Sequence, residues 1–149
     1  MVDVDRFRGE HARLLAAGRS LYALLSLETL GSRPGEARTA LAGFLADLDA
    51  HAAGEAEVYP ALLEHEVPAV REQARALWDE VGELYGRFGA HSAAWPAEAI
   101  ARDPGGFARS TKELLGALGQ RMARENAELY PLVAEHLAGI TEPRIALPP

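Results

Sequence analysis

His51 and Glu55 stand four residues apart in a stretch of helical periodicity, so an imidazole and a carboxylate share one face and can grip the same cation with little backbone adjustment. That pair of ligand types suits iron, manganese or zinc. The surrounding phrase HAAGEAEVYP (51–60) returns as MARENAELYP (122–131), an offset of 71 that also carries Glu64-His65 onto Glu135-His136. The second copy has Met122 and Asn126 where the first has His51 and Glu55, yet it places a carboxylate, Glu125, on its inward stripe, with Arg121 one turn earlier. A further imidazole, His11, lies near the start of the chain. His11, His51, Glu55 and Glu125 are therefore the candidate metal ligands, and Arg121 is the candidate substitute for a metal.

These residues need rigid elements to hold them. Apolar residues recur at spacings of three and four, and period-two alternation is nowhere sustained, so the chain reads as all-α. The first helix is expected to start at Asp3 or Asp5, either of which can cap free amides, and to stop at Gly31 before the turn SRPG. The second should open at Pro34 and run to Glu66 with a kink at Pro60, the third from Pro68 to about Ser92. A short helical turn is expected over 97–101, then a fourth helix over 104–138 kinked at Pro131. Short connections between long helices favour an up-down-up-down antiparallel four-helix bundle over 1–138, followed by a proline-rich tail over 139–149.

Depth along the helices tests whether the ligands meet. At 1.5 Å of rise per residue, His11 lies about 10 Å into the first helix, His51 and Glu55 at about 14 and 8 Å on the returning second, and Arg121 and Glu125 at about 11 and 5 Å on the fourth. All fall in one slab. Their stripes are otherwise apolar, including Leu41, Phe44, Leu48, Val58 and Leu62 on the second helix and Leu114, Leu118 and Leu129 on the fourth. Buried carboxylates there require a cation or hydrogen-bonding partners.

Composition narrows the function. With 149 residues, 48% of them hydrophobic, the chain can bury one substantial core. A net charge of −7 without a basic run disfavours nucleic acid as a partner. The absence of cysteine excludes disulfides, thiolate metal sites and cysteine nucleophiles, leaving His and carboxylate for any metal. No apolar run is long enough to span a bilayer and the first residues are charged, so a cytoplasmic protein without membrane insertion is expected. No nucleophile triad, phosphate loop or paired general acid and base stands outside the cluster, which favours a binding or sensing protein over an enzyme.

A helix-one His, an H-x-x-x-E leading into VYPALLEHE, and RENAELYPLVAEH on the last helix together resemble the hemerythrin-like, or HHE cation-binding, family over almost the whole chain. The resemblance implies a four-helix bundle around non-heme iron, mono- or dinuclear here, that binds or senses oxygen, nitric oxide or peroxide. It assigns His11, His51 and Glu55 as ligands and Glu125 as the fourth-helix carboxylate. The chain departs from the family where a fourth-helix His is expected: it has Arg121, or Met122 if the internal repeat sets the register. The third helix reads Leu77-Trp78-Asp79-Glu80-Val81 where the family has another His, so a full five-His site is excluded.

The alternative is a metal-free bundle acting as a regulatory or protein-interaction module, with the Arg121 guanidinium bridging Glu55 and Glu125 in the metal's stead. Iron oxidation or peroxide reduction is a third, catalytic reading. His65 and His136 should lie together near one end of the bundle, as a second metal or partner site with Glu64, Glu66 and Glu135 or as solvated helix ends. His91 reads as structural or exposed.

Overall fold

The computed structural model describes residues 3–137, so the expected tail over 139–149 and the end of the last helix at Ala138 lie outside the described residues. Every regular element among the described residues is helical. No helix among them is long and apolar enough to cross a membrane.

Helix α1, Val4–Ala23, starts where Asp3 accepts the amide hydrogen of Arg6 at 3.0 Å. It ends eight residues before the expected stop at Gly31. Ser26 opens a second short helix, α2 (Leu27–Ser32), by accepting from the Thr29 amide, and the change of direction buries both Leu25 and Leu30. Pro34 begins α3, Pro34–Ala56, as expected from its preset φ. Instead of kinking at Pro60, the chain breaks at Glu57 and Val58 and resumes as α4, Tyr59–Leu63. The break falls where the proline ring would collide with the carbonyl four residues before it. Helix α5 spans Pro68–Ala94 and α6 spans Ala97–Arg102. Helix α7, Pro104–Arg124, is capped by Asp103, which accepts from the Gly106 amide at 3.0 Å.

The expected single fourth helix is three pieces: α7, a π-helical turn over Glu125–Leu129, and α8, Tyr130–His136. Pro131 cannot supply an amide to the carbonyl four residues back, and the wider turn accommodates that loss. It also explains the imperfect repeat. Before the turn, buried residues of α3 and α7 correspond at an offset of 70, with Phe44, Leu48, His51 and Glu55 matching Leu114, Leu118, Arg121 and Glu125; after it, Val58, Tyr59 and Leu62 match Leu129, Tyr130 and Val133 at 71. The π turn absorbs a one-residue insertion. Arg121, not Met122, is thus the counterpart of His51.

Among the described residues, two apolar clusters form the core. One gathers Leu14, Leu48, Leu84, Leu118 and Met122 among others, the second Phe7, Val58, Leu77 and Leu129 with the two Tyr-Pro tyrosines. On α1, on α3 and at the start of the π turn after α7, the residues lying between the two clusters are His11, then His51 and Glu55, then Glu125. The polar slab is sandwiched by hydrocarbon, which lowers the local dielectric and raises the stakes for every charge in it.

Candidate metal centre

His11, His51, Glu55 and Glu125 are all buried, and each offers one ligand atom within 4.8 Å of the others. His11 and His51 approach Nε2 to Nε2 at 3.0 Å. Glu55 Oε1 lies 2.8 Å from His51 Nε2 and 4.0 Å from His11 Nε2, and Glu125 Oε2 lies 3.3 Å from His11 Nε2. The structure brings together all four residues that the sequence singled out.

The orientation of the rings follows from partners that sequence reasoning missed. His11 donates Nδ1–H to Asn126 Oδ1 at 3.1 Å, and His51 donates Nδ1–H to Glu10 Oε2 at 2.7 Å. With both Nδ1 atoms committed outward, both Nε2 atoms turn inward toward the two carboxylates, an arrangement typical of metal-binding histidine. Glu10 was hidden by its place beside His11, and Asn126 by the repeat, which equates it with Glu55. Phe7 completes the wall, stacked on Tyr130 at 5.8 Å and edge-on to His51 at 6.0 Å. Gly54 permits that approach, since a Cβ there would sit 3.3 Å from the Phe7 ring. The Tyr130 hydroxyl enters the cluster 2.8 Å from His11 Nε2, and it donates toward Glu55 Oε1 and Glu125 Oε2, each 3.4 Å away.

Charge is unevenly shared. Burial raises the pKa of Glu55, and Glu125 adds to the effect; together they outweigh the His51 hydrogen bond and push it up to about 8. Glu125 is also opposed by burial, but hydrogen bonds from His11 and Glu55 and the charges of Arg121 and His11 prevail and hold it down to about 2. Burial would lower His51, yet the bond and charge of Glu55, with Glu10 and Glu125, lift it to about 9. Two close carboxylates ionise unequally, and protons take up part of the charge that a cation would neutralise. Burial above all, with the charges of both glutamates, raises Tyr130, which keeps it a neutral donor.

Arg121 is buried and fans out from the opposite side of Glu125. Its Nε donates to Glu125 Oε1 at 3.0 Å, Nη2 to the Tyr59 hydroxyl at 2.9 Å and Nη1 to Glu80 Oε2 at 3.3 Å. Glu80 also pairs with Arg124, whose hydrogen bond lowers its pKa. The guanidinium therefore lies against the outer oxygen of Glu125 and makes no hydrogen bond to Glu55 among the described residues. Glu55 Oε2 is the one fully buried side-chain oxygen or nitrogen there without a hydrogen-bond partner. An unpartnered carboxylate oxygen, two converging imidazole nitrogens and a second carboxylate form a donor set that fits a divalent cation with nitrogen and oxygen preference.

The sequence model described as Hemerythrin HHE cation binding domain matches residues 2–133. The chain belongs to the hemerythrin HHE family. No curated protein and no solved structure matches it. Within this HHE domain, the third-helix acids Asp79 and Glu80 are not part of the cluster; Glu80 serves Arg121 and Arg124 instead.

The remaining histidines lie elsewhere. His65 and His136 pack edge to face at 4.8 Å, half-exposed, and His65 Nδ1 accepts the Val67 amide hydrogen. Among the described residues they form no cluster of three or more ligand groups with their neighbouring glutamates. His91 is buried and fully bonded: Ser110 donates to its Nδ1 and its Nε2–H reaches Thr111 Oγ1, both at 2.9 Å. Burial first, then the charge of Arg38, lowers its pKa and keeps it neutral.

Proposed function

We propose that this HHE domain holds one non-heme iron ion on His11, His51, Glu55 and Glu125, and that it binds or senses oxygen, nitric oxide or peroxide in the cytoplasm. The observation that carries the reading is the convergence of two inward-facing Nε2 atoms, each fixed by an outward Nδ1–H bond, on two buried carboxylates. The donor chemistry admits iron, manganese or zinc, and family membership favours iron. Iron held there would supply a redox couple and a coordination position that four protein ligands leave open. The chain's own groups do the rest: Tyr130 offers a neutral hydrogen-bond donor at the centre, Phe7 and Leu129 exclude bulk water, and Arg121 neutralises the outer oxygen of Glu125.

An up-down-up-down antiparallel four-helix bundle is part of the proposal. It is supported by the order in which the segments meet the two apolar clusters: α1 and α5 run from the Phe7 cluster to the Leu14 cluster, while α3 continuing into α4, and α7 continuing through the π turn into α8, run the reverse way. A second reading rests on Arg121 occupying the position that corresponds to His51, where a guanidinium serves as the fixed cation of a metal-free interaction module. The two are separated by loading stripped protein with ferrous iron under anaerobic conditions and recording absorption spectra before and after nitric oxide or air. The iron reading expects a saturable spectral change in wild type that is lost in His51→Ala/Glu55→Ala. A folded wild-type protein without any change favours the interaction module.

A further inference from the structure

A cavity of about 270 Å³ opens on the surface between α1 and α7, away from the polar slab. Its floor is hydrocarbon from Leu14, Phe44, Leu118 and Met122. Gly116 forms part of its wall, and a Cβ built there meets nothing within 4 Å, so the glycine keeps the space open. Tyr22 and Leu15, two of the large apolar side chains that remain exposed, continue the apolar surface to the rim.

The charged side chains that line this cavity are all of one sign. Arg19 and Lys112 line it, no acidic side chain does, and neither cation forms a salt bridge among the described residues. On a chain of net charge −7, an unpaired arginine and lysine over a hydrocarbon floor are a local reversal of sign. Lys112 is held at the rim rather than extended into water, its ammonium 5.2 Å from the centre of the Tyr22 ring. Arginine in turn presents a planar fork that matches a carboxylate.

The geometry points to a binding site for a small amphipathic carboxylate, an alkyl or aryl acid whose tail enters between Leu14, Phe44, Leu118 and Met122 and whose head meets Arg19 and Lys112. The volume fits such a ligand, being just below the range of pockets for drug-sized molecules. A second protein copy fits less well, since stable association needs roughly 800 Å² of surface per partner. This inference does not depend on the metal.

The test titrates the full chain with sodium octanoate, and with octanol as the uncharged control, by calorimetry and amide chemical shifts. Octanoate should bind saturably, about tenfold or more tighter than octanol because of its charge-assisted contacts, and shift residues of α1 and α7 around Gly116. Gly116→Leu, which fills the cavity while improving helix propensity, should abolish binding with the circular dichroism unchanged. Arg19→Gln/Lys112→Gln should bring octanoate down to the level of octanol. Equal binding of the two probes, or undiminished binding by folded Gly116→Leu, overturns the proposal. So do shifts of these residues that depend on protein concentration alone, which would assign the surface to a second copy.

Discussion

Replacing Arg121 with methionine tests how the buried charges are balanced. The guanidinium gives Glu125 its 3.0 Å partner, and Glu125 is among the most deeply buried residues of the chain. Methionine keeps much of the volume and removes all the donors. Breaking a buried pair from one side costs about 3–5 kcal/mol, because the remaining charge is left uncompensated. The lost contact to Glu80 adds little, since Glu80 is half-exposed and retains Arg124. For a domain of this size the loss corresponds to a melting point lower by about 10 °C. The assay is urea and thermal unfolding of chelator-stripped protein, with Arg121→Met/Glu125→Gln as the control that removes both charges and should recover part of the loss. The difference from wild type should also shrink with acid. The folded-state pKa of Glu125 is depressed from its ordinary 4.5 to about 2, so its contribution is present above the ordinary value and is lost as pH falls toward about 2. An Arg121→Met protein within about 1 kcal/mol of wild type at neutral pH would refute the reasoning, since it would leave Glu125 at ease without its partner.

Other outcomes follow from the same geometry. Glu10→Gln weakens the hydrogen bond that aims His51, and metal affinity measured by competition with a chelator should fall about 10- to 100-fold while the fold persists. Metal uptake at pH 7 should release at least one proton, seen as a buffer-dependent calorimetric enthalpy, because His51 is raised to about 9 and Glu55 to about 8 and an ion must displace what they hold. His91→Ala should destabilise the chain by about 1–3 kcal/mol in urea, through the lost partners of Ser110 and Thr111, and leave metal stoichiometry unchanged.

Much of the buried cluster is legible in the sequence because a buried helical stripe tolerates few charges, so His51, Glu55 and Glu125 stand out against leucine and phenylalanine. Helix starts at Pro34, Pro68 and Pro104 were equally visible, since proline suits the first turn. The early stop of α1 had its signal in Ser26, whose hydroxyl competes with helix continuation, but Gly31 masked it. The π turn was hidden because an exact Tyr-Pro match anchored the repeat at 71, whereas the inward residues before it correspond at 70. Glu10, Asn126 and the Tyr130 hydroxyl act across helix interfaces, and their partners depend on registers between helices that spacing along one helix does not encode.

The central claim, that four side chains on three segments share one ion, is tested most directly by anaerobic titration of chelator-stripped protein with ferrous iron, followed by metal analysis and X-ray absorption. Wild type should bind one equivalent with imidazole in its coordination shell, and a folded His51→Ala variant none. Wild-type protein that folds and holds no iron, or a His51→Ala variant that holds it as tightly, would contradict it.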